Sequence, residues 1–222
     1  MLFSNKMLFL RLRGFLTSSK KKHILLLIKF PLLMEIKINS SMKYHKIDSS
    51  LFIKNRKNFM AHMQPNSIAV FNSNDIYPIS ADSTMPFEQH RDIFYLSGVD
   101  QEESILILYP DSPNPKNREV LFLKETNEHI AVWEGEKLTK DAAFETSGIK
   151  TVYWLQDKEK LLFEMMTQAE TVYINTNEHY RANIETETRE DRFTKWLKNK
   201  YPAHRVAKSN PILQRLRSVK DK

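Results

Sequence analysis

The chain has no cysteine in 222 residues. That excludes disulfides, thiol nucleophiles, cysteine-type zinc sites and iron–sulfur clusters. It leaves the compartment open, because cytosolic and periplasmic proteins both tolerate the lack. Glycine is nearly as scarce, with four residues at Gly14, Gly98, Gly135 and Gly148. No two are spaced for a dinucleotide fingerprint or a P-loop, both of which need clustered glycines so that backbone can approach phosphate. Long apolar runs are also missing. A membrane span needs roughly 20 apolar residues. The run Ile24–Ile28 is broken by Lys29 and then Pro31.

The charge is unevenly placed. The formal net charge of +7 invites a nucleic-acid or membrane partner. Residues 1–41 carry eight basic side chains and one acid, so they hold the whole excess. The other 181 residues have 26 bases and 26 acids. A neutral body argues against nucleic acid, including binding on an RNase H-like sheet, and no span argues for a membrane. Three readings stand for the head. Met42 is the true start and 1–41 an upstream extension; or Lys20–Lys22 and Ile24–Ile28 form a weak secretory signal without an Ala-x-Ala cleavage site; or the head is a basic arm.

Apolar residues at 41% and aromatics at 11% suit a globular body with a real core. Ser49–Ser50 can cap a helix carrying Phe52, Phe59, Met60 and Met63, ended by Pro65. The short apolar runs Ser67–Phe71, Ile93–Leu96, Ser104–Tyr109 and Val120–Leu123 read as buried strands. The turn-rich Asp111–Arg118 suits a hairpin loop. Helices are expected over Lys140–Thr146, stopped by Gly148, over Asp157–Gln168 and over Arg189–Lys200. Strands are expected at Thr151–Trp154, Thr171–Ile174 and His204–Ala207. The order predicts an α/β fold, a mixed β-sheet flanked by helices on both faces.

Chemistry-bearing patterns are sparse. The seven histidines form no HExxH motif. Asn-Glu-His occurs at 127–129 and 177–179, a possible ligand pair or simply solvated loop residues. No G-x-S-x-G elbow supports a serine triad. The densest polar cluster runs from Ser80-Ala-Asp-Ser83 to Gln89-His90-Arg91-Asp92, ahead of an expected strand. It reads equally as a functional loop or as an ion-pair loop with Arg91 held by Asp92 or Glu88. Trp133, followed by Glu134, Gly135 and Glu136, suits a ligand-facing, interface or core-edge role. On Arg189–Lys200, acids precede bases, as a helix dipole favours.

The stretch Pro65–Pro110 resembles the N-terminal domain of Xaa-Pro aminopeptidases (aminopeptidase P). The resemblance rests on the Ser67–Phe71 strand, Ser80-Ala-Asp-Ser83, Pro86-Phe87-x-Gln89, Asp92-x-Phe94-Tyr95-Leu96-Ser97-Gly98 and the strand after Glu103. It continues through Val120–Leu123 and Val132–Leu138 to the terminal RLRSVKDK. It covers 42–222 and none of 1–41. It implies a creatinase/prolidase N-domain-like fold for 42–215, with 216–222 opening the linker and first helix of a metallopeptidase domain, and 1–41 as a disordered or non-native extension.

The resemblance further implies a C-terminal pita-bread catalytic domain that binds two Mn²⁺ through two Asp, one His and two Glu. There a metal-activated water cleaves the bond before proline in proline-containing peptides. In the family, Leu-Arg-x-Val-Lys-Asp introduces that half; here it is Leu216–Asp221. The chain itself is then expected to hold no catalytic residue, metal or cofactor. It would position substrate and help to form a homo-oligomer in the cytoplasm, or outside it if the head is a signal. Motif matching assigns Trp133 to the mouth of a neighbouring subunit's active site and Asp82 to the face toward the catalytic half. The competing reading is a stand-alone interaction or ligand-binding module. A domain separated from its catalytic half is expected to bare apolar surface near Ile212–Val219, with that helix fraying.

Overall fold

Alternation along the strands divides the core in two. In β1 (Ser67–Asn72) every residue is buried, with Ile68 and Val70 on one face of the sheet and Ala69 and Phe71 on the other. The same period of two sends Ile105 and Ile107 of β4 (Ile105–Leu108) to the first face and Leu106 and Leu108 to the second. A sheet apolar on both faces must be covered on both. The computed structural model describes residues 46–127, 129, 131–132, 135–177, 179 and 186–219. The reading of 1–41 as an extension lies outside them. Residues 47–222 form one compact unit.

The sheet has six strands in the order β6-β5-β4-β1-β7-β8. They include β5 (Glu119–Leu123), β6 (Thr151–Trp154), β7 (Thr171–Ile174) and β8 (Arg205–Lys208). β4 runs antiparallel to both β1 and β5, with Ala69 opposite Leu108 and Ile105 opposite Phe122. The pairs β5–β6, β1–β7 and β7–β8 are parallel. All strands except β4 therefore end at one edge. A separate exposed ribbon of β2 (Pro78–Ser80) and β3 (Ser83–Thr84) falls between β1 and β4 in sequence.

Helices α4 (Lys158–Met166) and α5 (Arg189–Lys200) cover the first face with Leu162, Met165, Met166, Phe193 and Leu197. Helices α1 (Ser49–Met60), α2 (Arg91–Ser97), α3 (Lys140–Ser147) and α6 (Asn210–Ser218) cover the second with Phe59, Ile93, Leu96, Ala143 and Leu213. The expected mixed sheet between helical layers is what forms.

Three expectations are corrected. Ile93–Leu96 is helix, not strand: His90 caps it, Asp92 sits in its first turn, and Gly98 ends it in the left-handed region at φ 70°. Four apolar residues cannot discriminate between strand and helix; the caps on either side can. Asp48, not Ser49 or Ser50, caps α1 by accepting from the Ser50 N–H. The C-terminal helix is docked: Leu213 is buried, Ile212 and Leu216 pack on the second core, and Val219 just beyond is exposed.

One buried cation ties the second layer together. Arg56 of α1 is fully buried. Its Nη1 donates to the carbonyls of Leu96 and Ser147, each at 2.9 Å, and its Nε donates to Glu119 at 3.0 Å. Those carbonyls belong to the last turns of α2 and α3, where unpaired acceptors and negative dipole ends favour a cation. Both turns share a Ser-Gly-apolar sequence and one bonding pattern. Ser97 and Ser147 each donate to the carbonyl four residues back and accept from the N–H two residues on.

Candidate functional site

The strand ends converge on a polar cluster at the carboxyl edge of β1 and β7, the edge where open α/β sheets place their sites. Asp92, in the first turn of α2, is 7% exposed. Its Oδ2 accepts from Asn175 Nδ2 at 3.1 Å, just past β7, and its Oδ1 accepts from Arg217 Nη1 at 2.6 Å, on α6. Asn175 Oδ1 in turn accepts from Ser209 Oγ at 2.8 Å and Asn210 Nδ2 at 3.2 Å. One chain of polar contacts thus links α2, β7 and both ends of α6.

His90 caps α2 through Nδ1, which accepts from the Asp92 N–H at 3.3 Å. Burial lowers its pKa; Asp92 opposes that shift and Arg217 adds to it. A neutral ring suits a cap, because a protonated Nδ1 could not accept. Its Nδ1 lone pair is engaged in capping the start of α2, so it is not set as a base for a nucleophile.

A second buried acid lies at the same edge. Glu190, in the first turn of α5, accepts from the Asn72 N–H at 2.8 Å and from Asn72 Nδ2 at 2.9 Å. Burial pushes its carboxyl up to about 8, against the pull of both Asn72 bonds and Arg189 and with a small push from Asp92. Arg189 Nη1 donates to Ser73 Oγ at 2.9 Å, and that oxygen also accepts from the Ser104 N–H at 3.2 Å. Gln89 organises the loop before β4, donating to the carbonyls of Val99 and Gln101 at 3.1 and 3.0 Å.

Beside this cluster lies a cleft of about 430 Å³ lined by Asp100, Gln101, Glu102, Glu136, Lys137 and Thr139, among others. Lys137 pairs with Glu102 in it. Gln101 Oε1 accepts from the Leu138 N–H at 2.7 Å, which fixes the segment leading into α3.

Asp82 is exposed in the turn of the β2–β3 ribbon, next to Ala81 at φ 50°. Ile79 and Met85 are exposed on the same ribbon. The ribbon's base is tied to α5 by Arg192 and Asp75 at 2.7 Å. Trp133 lies outside the described residues. Of the polar cluster singled out from sequence, His90 and Asp92 enter the strand-edge network and Asp82 stands apart from it. Asp92 is held by Arg217 rather than by its neighbour Arg91. The histidines of both Asn-Glu-His triplets are exposed. Glu190, Asn175, Ser209 and Arg217 were not singled out as site residues from the sequence. Glu190 left one legible signal: it shares the buried stripe of α5 with Phe193, Thr194 and Leu197.

Among the described residues no three His, Asp or Glu side chains converge as metal ligands, and no helix is long and apolar enough to cross a membrane. The site fastens helices and presents a cleft and a ribbon.

Comparison with known proteins agrees with this architecture. A structure from Bacillus anthracis assigned to aminopeptidase P superposes with a TM-score of 0.71 at 24% identity, covering 79% of this chain and 41% of its own. Aminopeptidase P from E. coli with the inhibitor Pro-Leu gives 0.57 at 24% identity, covering 74% and 36%. In sequence, Xaa-Pro aminopeptidase of Escherichia coli K12 is 27% identical over 63% of this chain and 31% of its own length. Human Xaa-Pro aminopeptidase 3 is 23% identical over 82% and 35%. The chain thus spans about a third of the length of the curated relatives it matches. The model of the aminopeptidase P N-terminal domain matches residues 52–173, from α1 through β7 and so through five of the six strands of the sheet. More than half of the chain is matched, and it belongs to the aminopeptidase P N-terminal domain family.

Proposed function

We propose that this chain is the substrate-positioning and assembly domain of a Xaa-Pro aminopeptidase, acting beside a C-terminal catalytic domain. The family match over residues 52–173 carries the reading. In it, the hydrolysis of the bond before proline, and the two manganese ions that activate the water, belong to a C-terminal pita-bread domain. The described residues offer no ligand set for such ions, and the reading assigns that chemistry to the C-terminal domain.

What the chain contributes is placement. The Asp92–Arg217 and Asn175–Ser209 contacts hold α6, which runs into the Leu216–Asp221 motif, against the sheet edge. They would set the direction in which a following domain leaves. The exposed β2–β3 ribbon, with Asp82 at its turn, is the surface proposed to face the catalytic half. Trp133 is proposed to reach the substrate mouth of a neighbouring subunit in a homo-oligomer. The compartment proposed is the cytoplasm.

The test is an Xaa-Pro-Xaa peptide incubated with the chain and Mn²⁺. No release of the first residue is expected. Turnover that survives repurification and requires the added metal would overturn the reading.

A further inference from the structure

The two outer strands of the sheet differ. β8 presents Arg205 and Lys208, and three of its four residues are exposed. Charge, lysine above all, is the usual protection of an open edge against pairing. β6, at the other end, has the sequence Thr151-Val152-Tyr153-Trp154, with no charge, no proline and no bulge, and pairs with β5 alone among the described strands. All four of its residues are half-buried. The helices joined to it in sequence each expose a phenylalanine, Phe144 on α3 at 45% and Phe163 on α4 at 53%. They lie on opposite faces of the sheet, because α3 packs in the core of Val152 and Trp154 and α4 in that of Tyr153.

We propose that the outer edge of β6 is where two copies of this chain join. β6 would pair antiparallel with β6 of the second copy across a two-fold axis, uniting two six-stranded sheets. A pairing centred on Val152 sets Val152 opposite the partner's Val152 and Thr151 opposite the partner's Tyr153, β-branched and aromatic pairs that favour strand association. The same operation at β8 would bring Arg205 and Lys208 of both copies to one seam, four like charges that disfavour it.

A second copy fits this edge better than a lone extended peptide. A peptide strand satisfies the edge backbone and leaves the helices uncovered. A two-fold partner also brings its own α3 and α4 alongside, so that Phe144 and Phe163 add to the contact. Four strand residues alone fall short of the roughly 800 Å² per partner of a stable interface, so the exposed faces of those helices would have to contribute the remainder. The inference deepens the assembly role proposed above and rests on it, but not on the peptidase assignment.

The experiment combines sedimentation velocity on the full chain with spin-label distances, for which the absence of cysteine allows single-site labelling. The wild type is expected to show a concentration-dependent dimer. Labels on Thr151→Cys should lie within about 15 Å of each other, and labels on Arg205→Cys roughly 50 Å apart, given strand spacings near 4.8 Å. Thr151→Lys should give a monomer whose unfolding midpoint equals that of the wild type at concentrations where the wild type is monomeric. If that variant fails to fold, Phe163→Glu on the exposed face of α4 should raise the dimer dissociation constant at least tenfold. A dimer with distant Thr151 labels and no response to Thr151→Lys would overturn the edge and leave assembly standing. A monomer at every concentration would overturn both. A monomer whose β6 amides gain exchange protection from an added extended peptide would replace self-pairing with strand addition.

Discussion

Arg217 donates to Asp92 over 2.6 Å across 125 residues of sequence, and so ties the last helix to the first turn of α2. The two partners are not equivalent. The Asp92 side chain is 10% exposed and Arg217 38%, so the acid is the buried half of the pair. Replacing Asp92 with Ala would strand Asn175 Nδ2 in the interior as well as free Arg217. A buried polar group left without a partner costs about 1–3 kcal/mol. Arg217→Met keeps the Asn175 contact, and the partly solvated ion pair it removes contributes about 1 kcal/mol or less. Urea unfolding should therefore rank Asp92→Ala well below Arg217→Met, while native-state hydrogen exchange should show α6 opening faster in both. Equal losses would mean that Asp92 is not the anchor.

Glu190 makes stability depend on pH in the direction opposite to an ordinary surface carboxylate. Its folded-state carboxyl is pushed to about 8, above the 4.5 of an unperturbed glutamate. Between those values the folded chain retains a proton that the unfolded chain has released. Its contribution is therefore full below about pH 4.5 and declines as pH rises toward 8, by at most ~1.4 kcal/mol per unit. Glu190→Gln removes the titration. Its amide can still accept from the Asn72 N–H and, with the Asn72 side-chain amide turned, donate to it. Denaturation from pH 5 to 8 should show the wild type losing stability relative to this variant. Parallel curves would place the carboxyl outside that window.

Most of the sheet was legible because buried strands are short runs of β-branched and aromatic residues bounded by turn formers. Thr151–Trp154 and Thr171–Ile174 are read without any knowledge of their partners. Ile93–Leu96 has the same composition and is helical, because its caps lie outside the run. The strand-edge network was illegible for a different reason. Asp92 meets Asn175 and Arg217 only through the sheet topology, and no local pattern links residues 83 or 125 positions apart. The β2–β3 ribbon escaped notice because a left-handed alanine in its turn is not signalled by composition.

Arg56 should be the most costly single position in the second layer. A methionine of similar reach would fill the volume but leave the carbonyls of Leu96 and Ser147 and the carboxylate of Glu119 without their donor. Breaking a buried pair from one side costs about 3–5 kcal/mol. Glu119 keeps 27% side-chain exposure, so water relieves part of that loss and the lower end is expected. Arg56→Lys keeps the charge without the planar fork and should fall between the two. The measurement is the urea midpoint of each variant. A loss for Arg56→Met no larger than that for Glu119→Gln would show that the two helix-end carbonyls contribute little.

The paired glycines allow a prediction in which local strain is the same and packing differs. Gly98 and Gly148 both end helices in the left-handed region, at φ 70° and 72°, so an alanine carries the same backbone cost at either, about 1 kcal/mol. Their surroundings are unlike. A Cβ at Gly98 would come within 2.3 Å of the Phe52 ring, and one at Gly148 within 2.6 Å of Ile53 Cδ1. Phe52 is 3% exposed, rigid and held edge-on against Phe94, whereas Ile53 is 43% exposed and its terminal methyl can turn away. Overpacking a confined site adds about 1–3 kcal/mol. Gly98→Ala should therefore cost clearly more than Gly148→Ala in a thermal or urea melt. Adding Phe52→Leu to Gly98→Ala should cost less than the two single changes summed, because it removes the ring that the new methyl strikes. Strict additivity would locate the penalty in the backbone of the α2 terminus and not in its contact with α1.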